Sequence, residues 1–393
     1  MSKIVPKWSS AMLKKISYLT YLIQSHIILY MKLNKVNFEH RLTNLPNDIW
    51  SKITQIEELK GRWLASSTLS PQTLGRLKRS VLITSTGAST RIEGAKLSDE
   101  DIEKMLRGIS IQKFSNRDEQ EVQGYYELLQ NVFNSFRDLQ FNESLIKHFH
   151  KELLKYVERD QLHRGNYKTQ ENKVEMINEA GQSIGVLFDT TPAYLTPKEM
   201  NELIEWTKQV LEEKKYHPLL IIGNFIVEFL NIHPFKDGNG RMSRILANLL
   251  LLQQGYLHMP YISHEKLIED NKPEYYLSLR QSQKTFKTDK DDIISWLDFF
   301  LTIFLEQSKM AIELLTSENI EILLSPKQLV IWQYLQTVSQ ASPNEIAKQT
   351  NVARPTVNQV LNKLLQLKKI ERFGEGAAIR YRQTKTNLTN KSS

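Results

Sequence analysis

Residues 233–244 read His-Pro-Phe-Lys-Asp-Gly-Asn-Gly-Arg-Met-Ser-Arg, which brings an imidazole, a carboxylate, two glycines and two guanidinium groups into one short segment. Each type suits phosphate chemistry. His233 titrates near neutral pH and could take a proton from an attacking hydroxyl. Asp237 offers a hard oxygen to a Mg²⁺ carried on a polyphosphate. Gly238 and Gly240 flank Asn239 in a tight turn that runs into a helix. The free N–H groups and positive dipole end at such a junction attract anions. Arg241 and Arg244, three residues apart, add bidentate contacts to phosphate oxygens. Taken singly, a DGNG is a turn, a histidine at a helix end is a cap and an arginine pair is a solvated face. Together, in this order, they compose a site for a phosphorylated ligand.

The elements that must hold this loop are helical. Apolar residues at spacings of three and four predict helices over 47–59, 71–85, 98–107, 118–139, 143–157, 197–214 and 218–230, several opened by proline. The apolar helix GNFIVEFLNI delivers His233. A further helical run covers 291–315. One stretch differs: 167–188 alternates polar and apolar residues around Val174, Met176 and Ile177. Turn-forming residues at 178–181 then predict a β-hairpin between helices. No internal repeat is present.

The segment 233–244 matches the signature HxFx[D/E]GNGRxxR, and the chain from about 45 to 305 resembles the Fic family. The fold class this implies is mainly α, a Fic-type helical core with a β-hairpin flap. The activity it implies is transfer of AMP from ATP to a Ser, Thr or Tyr hydroxyl of a target protein, including auto-AMPylation. By this resemblance His233 would be the general base, Phe235 would anchor the loop and Asp237 would hold Mg²⁺. Asn239, with the backbone of Gly238 and Gly240, would cradle the α- and β-phosphates; Met242 and Ser243 lie on the same helix start. Arg241 and Arg244 would neutralise the pyrophosphate end, Arg244 at the γ-phosphate. The hairpin, with Met176 and Ile177, would align an extended target segment by strand addition. Tyr275 and Tyr276 would border the adenine, with Gln283 two helical turns beyond.

Upstream, Ser89-Thr-Arg-Ile-Glu93-Gly94 matches the family's inhibitory pattern [S/T]xxxE[G/N]. Ser89 and Glu93 share a helix face at a spacing of four, and Gly94 suits the position past a helix end. The resemblance implies that Glu93 pairs with Arg244 and forces ATP into an unproductive pose. A related role for the same glutamate is to position water for removal of AMP.

Composition bounds the rest. The absence of cysteine excludes disulfides, cysteine–zinc sites and thiol nucleophiles, and is compatible with a cytoplasmic protein. The run 18–30 is shorter than the roughly 20 apolar residues that span a bilayer, so no membrane association is expected. Of the net charge of +8, seven come from Glu321 onward, where eleven Lys and Arg face four Glu. That basic region reads as a winged helix. Helices are expected over 326–338 and 343–350, with a recognition helix over 355–367 and a hairpin over 368–382. Arg354, Thr356, Asn358, Gln359 and Lys363 would face DNA, and Arg372, Arg380 and Arg382 would meet phosphates. Winged helices also dock proteins, so both partners stay open. The expected organisation is an N-terminal extension (1–35), a helical region with the inhibitory helix (36–120), the catalytic core (121–315), the winged helix (320–385) and a disordered tail (386–393). Homodimerisation is left open. The competing reading is a DNA-binding regulator that uses the same core as a nucleotide sensor.

Overall fold

The computed structural model describes residues 38–65, 69, 71–108, 117–177, 183–318, 324–367, 369–374 and 376–384. The run 18–30, the hairpin turn at 178–181 and the tail from 386 onward lie outside the described residues, as do the side chains of Met176 and Ile177. The chain divides into two compact units, Met1–Ile312 and Glu313–Ser393. The N-terminal extension expected at 1–35 also lies outside the described residues.

The first unit is helical, as its periodicity predicts. Its helices are α1 (Asn47–Ala65), α2 (Pro71–Ile92), α3 (Asp99–Gly108), α4 (Arg117–Ser135) and α5 (Glu143–Leu153). After the hairpin come α6 (Thr196–Glu213), α7 (Pro218–Ile232), α8 (Asn239–Gln253), α9 (His264–Asp270), α10 (Lys272–Gln283) and α11 (Ile294–Glu318), whose residues from Glu313 onward are counted with the second unit. The hairpin pairs β1 (Lys173–Ile177) with β2 (Ser183–Asp189), antiparallel, with Lys173 opposite Asp189. Among the described residues no helix is long and apolar enough to cross a membrane.

Helix α7 sits at the centre. Every residue from Leu219 to Ile232 is buried, because the sequence PLLIIGNFIVEFLNI is apolar on all sides. Large apolar side chains contribute about 1.5–3 kcal/mol each when fully buried, which makes α7 a firm platform. It packs on α8, which is buried from Arg241 to Leu252.

Helix α2 runs to Ile92, past the Ser85 at which the apolar periodicity stops and up to the helix end expected before Gly94. Its last turns, TSTGAST, are poor helix formers, yet Ser85, Thr86, Ser89 and Thr90 are buried, and packing outweighs propensity there. The helix stops in a Schellman arrangement: Ala95 N donates to Thr90 O (3.1 Å) and Gly94 N to Arg91 O (3.0 Å). Gly94 adopts φ +103°, a conformation that suits glycine and places Glu93 at the helix end.

The second unit contains α12 (Pro326–Thr337), α13 (Pro343–Thr350), α14 (Arg354–Gln366) and an antiparallel pair, β3 (Ile370–Phe373) with β4 (Arg380–Gln383). Its own core gathers Ile331, Leu335, Ile346, Val357, Leu361, Leu364 and Tyr381. Tyr381 also exchanges two backbone hydrogen bonds with Ala341, 2.8 and 2.9 Å long. The order of helices and hairpin is the one expected.

Candidate active site

The loop between α7 and α8 is built from the inside out. His233 closes α7 in the left-handed region (φ 51°, ψ 59°), its N–H donating to Phe229 O at 2.9 Å. Phe235 plugs into the core, fully buried. The ring of His150 from α5 stacks flat on it, with centroids 3.8 Å apart and planes 6° from parallel. Asn239 then locks the turn: its Oδ1 accepts from Phe235 N (2.9 Å) and its Nδ2 donates to Phe235 O (2.8 Å). The Asn239 side chain is therefore committed to the loop itself, and only its backbone N–H remains for an anion. Gly238 caps α8 at φ 79°.

His233 Nδ1 lies 3.3 Å from Leu230 O. A carbonyl only accepts, so Nδ1 carries the proton and Nε2 keeps its lone pair. Desolvation pushes the imidazole down to about 4, with the Lys168 charge adding to that, against the Leu230 carbonyl, Glu93 and Asp237 pulling upward. At neutral pH His233 is thus an uncharged acceptor.

Asp237 is the loop's anion. Burial works against its charge, but the Arg241 guanidinium, the Gly238 N–H and Arg117 outweigh it and hold the carboxyl below the usual range. Its Oδ1 accepts from Gly238 N (2.6 Å) and Arg241 Nη2 (3.3 Å), and its Oδ2 from Arg117 Nη2. Arg241 also reaches Glu121 Oε2 at 2.8 Å, while its buried Nε meets no hydrogen-bond acceptor among the described residues. No cluster of three or more His, Cys, Asp or Glu side chains that could hold a metal occurs among the described residues. Asp237 is therefore a single carboxylate, half-exposed and kept ionised. That matches how Mg²⁺ binds in nucleotide sites, by one or two carboxylates plus phosphates.

Arg244 is buried and points at the end of α2. Its Nε donates to Ser89 Oγ (2.7 Å), and its Nη2 to Ser89 O (2.9 Å) and Glu93 Oε1 (2.7 Å). Burial disfavours its charge, yet Glu93 and the neighbouring tyrosines hold it firmly protonated. The Glu93 carboxylate also covers Gly240 so closely that a Cβ there would lie 2.1 Å from Oε1. An anion thus rests on the start of α8 and on Arg244 at once. The end of α2 is tied down in turn by Arg91, whose Nε donates to Glu269 at 2.6 Å, and by Tyr276 OH, which donates to Ile92 O at 3.3 Å.

The remaining expected residues are placed as follows. Met242 is wholly buried, and Ser243 Oγ donates to Gly240 O within its own helix (2.8 Å). Tyr275 sits in the core against Trp296 and Phe299, with ring centroids 5.9 and 5.8 Å away. Gln283 is half-buried at the end of α10. In the second unit Asn358 and Gln359 are exposed on α14 and Thr356 is half-buried. Arg354 pairs with Asn344 and Lys363 with Gln328, while Arg380 meets Glu345 (3.1 Å) and Arg382 meets Glu371 (3.0 Å). Arg372 is exposed.

Arg117, Glu121, His150, Lys168 and Asn172 were missed by the sequence reading. Each joins the loop from 60 or more residues away, and none carries a local pattern that would mark it.

Comparison with known proteins fits this geometry. The model of the Fic/DOC family matches residues 140–251. A Fido domain-containing protein of Dictyostelium discoideum is 36% identical over 102 residues, which cover 25% of this chain and 67% of that protein. A probable protein adenylyltransferase of Aquifex aeolicus is 27% identical over 186 residues, 46% of this chain and 51% of the relative, so the chain spans about half that relative's length. In three dimensions the chain resembles a Fic family protein from Desulfovibrio desulfuricans, with a TM-score of 0.59 at 24% identity, over 88% of this chain and 98% of the other. At that identity the likeness speaks for the fold.

Proposed function

This chain belongs to the Fic/DOC family, and from that premise we propose that it transfers AMP from ATP to a hydroxyl of a Ser, Thr or Tyr side chain on a target protein or on itself. The observation that carries this reading is the loop at 233–244. It combines a neutral imidazole with Nε2 open, a glycine-lined helix start and a buried arginine on which a carboxylate already rests. In the reaction, the target hydroxyl oxygen attacks the α-phosphorus of ATP and its proton passes to His233 Nε2. The bond from the α-phosphorus to the bridging oxygen breaks, and pyrophosphate leaves. Gly238 and Gly240 let backbone N–H groups approach the phosphates, and Arg241 and Arg244 take up the leaving charge. Asp237 would hold Mg²⁺, which neutralises the polyphosphate when bound. The protein's share is chiefly positioning and electrostatics.

Glu93 acts as a brake in this reading. It uses the arginine and the helix start that the γ-phosphate requires, and a carboxylate and a phosphate compete for the same fork. The test is intact-protein mass together with label transfer from α-labelled ATP for wild type, Glu93→Gly and Glu93→Gly/His233→Ala. One AMP of added mass that appears with Glu93 removed and vanishes without His233 supports the reading. ATP binding without label in any variant overturns it.

The second unit supports a further reading, that it is a winged helix that docks on duplex DNA. Between residues 324 and 384 nine Lys and Arg face three Glu, and α14 exposes Asn358, Gln359 and Asn362. Amide side chains of this kind pair with adenine edges in the major groove.

A further inference from the structure

Lys168 is a buried lysine, 6% exposed, in the segment ahead of the hairpin. Its backbone N–H donates to Pro234 O at 2.8 Å. Its Nζ donates to Ile232 O (3.0 Å), Thr190 Oγ1 (2.8 Å) and Asn172 Oδ1 (2.8 Å), which uses all three ammonium protons. Asn172 continues the pattern, its Nδ2 donating to Phe235 O (3.0 Å) and more weakly to His233 O (3.4 Å). The four consecutive carbonyls 232–235 are thus each held by Lys168 or Asn172. They are the carbonyls of Ile232, His233, Pro234 and Phe235, and His233 stands in a left-handed conformation that a non-glycine residue keeps only when its surroundings impose it.

Two of Lys168's partners mark the feet of the hairpin. Asn172 immediately precedes β1, and Thr190 immediately follows β2. Thr190 Oγ1 lies 2.6 Å from Asn172 Oδ1 and 2.9 Å from Asn172 O, closing the two feet on each other. We infer that Lys168, with Asn172 and Thr190, is a latch that couples the base of the β1–β2 hairpin to the pose of His233. A hairpin closed at its feet holds the imidazole with Nε2 open. A hairpin splayed at its feet releases the carbonyls on either side of His233. Lys168 is a positioning residue, since it touches the backbone around the base and not the reacting atoms. The inference deepens the reading of His233 as general base and rests on it for its catalytic meaning.

Charge adds an independent signature. Lys168, Glu93 and Asp237 all act on His233, and Lys168 itself faces Glu171, Glu199 and Lys287, the last paired to Glu199. Desolvation lowers Lys168 to about 8, so it remains mostly a cation at pH 7. Its removal lets His233 protonate more readily.

The test uses the full chain with ¹⁵N-labelled histidine, in wild type, Lys168→Met and Thr190→Val, with His233→Ala to assign the signal. Long-range proton–nitrogen spectra report both tautomer and titration. Wild type should show a neutral His233 protonated on Nδ1. In Lys168→Met the tautomers should mix and the midpoint should rise by about one pH unit. Thr190→Val keeps the cation but loosens its seat, so it should mix the tautomers with a smaller rise. His258 and His264, buried elsewhere in the unit, should keep their signals and certify the fold. An unchanged His233 tautomer and midpoint in a folded Lys168→Met protein overturns the latch. So does an unchanged tautomer in Thr190→Val, should the methionine variant fail to fold. Because these spectra need no turnover, a wild type that transfers no AMP refutes the proposed function and leaves the latch to be decided by NMR.

Discussion

Glu93 and Arg244, 151 residues apart in sequence, meet at 2.7 Å between Oε1 and Nη2. The arginine side chain is 3% exposed and the glutamate 33%, so the carboxylate lies at the mouth of the site and the guanidinium at its floor. A hydrogen bond to a charged group contributes about 1.5–3 kcal/mol. If ATP must displace it, Glu93→Gly should raise label incorporation roughly ten- to a hundredfold, since about 1.4 kcal/mol is a factor of ten. Glu93→Gln keeps the shape and loses the charge, and should fall between the two. Equal incorporation by all three proteins would remove the brake from the account.

Gly240→Ala separates the brake from the cradle. An added Cβ would come within 2.1 Å of Glu93 Oε1, which is the far end of a flexible side chain and can swing aside. The fold should tolerate the change, because alanine suits a helix better than glycine by up to about 1 kcal/mol. Yet the methyl group would occupy the surface that a phosphate must approach. Calorimetric titration with ATP–Mg²⁺ should therefore show Glu93→Gly binding well and Glu93→Gly/Gly240→Ala binding about tenfold more weakly, or worse, by analogy with one lost charge-assisted contact. Equal affinities would place the nucleotide elsewhere.

Stability should fall on mild acidification. Desolvation pushes His150 and His233 down to about 4 and His258 to about 3. An unfolded histidine titrates near 6.5, so between pH 6.5 and 4 the unfolded chain binds protons that the folded chain refuses. The folded state therefore loses stability as pH drops through that window. At pH 5 each histidine so held contributes a loss of about 2 kcal/mol relative to pH 7.5. Urea unfolding followed by circular dichroism at both pH values would measure the loss, and His258→Asn should lessen it. An identical pH dependence in that variant would assign the effect to other groups.

How much of this site could be read beforehand depended on whether its parts were local. The loop 233–244 carries its glycines, carboxylate and arginines in one run, and helix periodicity located α7 on one side of it. The pairing of Glu93 with Arg244 was readable only through the family's pattern. By contrast, Arg117 bears on Asp237 from 120 residues away, and Lys168 grips Ile232 O from 64. Nothing in the spacing of either residue announces its partner. The end of α2 was legible through Gly94 and the spacing of Ser89 and Glu93 rather than through apolar periodicity: its serines and threonines argue against helix by propensity, but Ser85 bonds Ser263 (2.8 Å) and Ser89 bonds Arg244 in the interior. Tyr275, expected beside the adenine through the family resemblance alone, packs its ring against Trp296, a contact that no local spacing announces.

The basic second unit yields the last prediction. Arg380 and Arg382 are held by Glu345 and Glu371 in pairs whose side chains are 39–57% exposed, and such pairs are worth only about 0–1 kcal/mol. Phosphates can displace those glutamates at little cost, so the pairs do not argue against a DNA footprint. Fluorescence anisotropy of the full chain with a labelled duplex should then show affinity that drops steeply between 50 and 200 mM salt, as release of counterions requires. Arg372→Ala should lower the slope of log K against log salt by about 1 and weaken all sequences alike. Asn358→Ala or Gln359→Ala should leave the slope unchanged and cost about 1–3 kcal/mol only on a duplex selected for tight binding, because an amide contacts a base edge. Affinity indifferent to salt, or an unchanged slope in Arg372→Ala, would turn the second unit toward a protein partner.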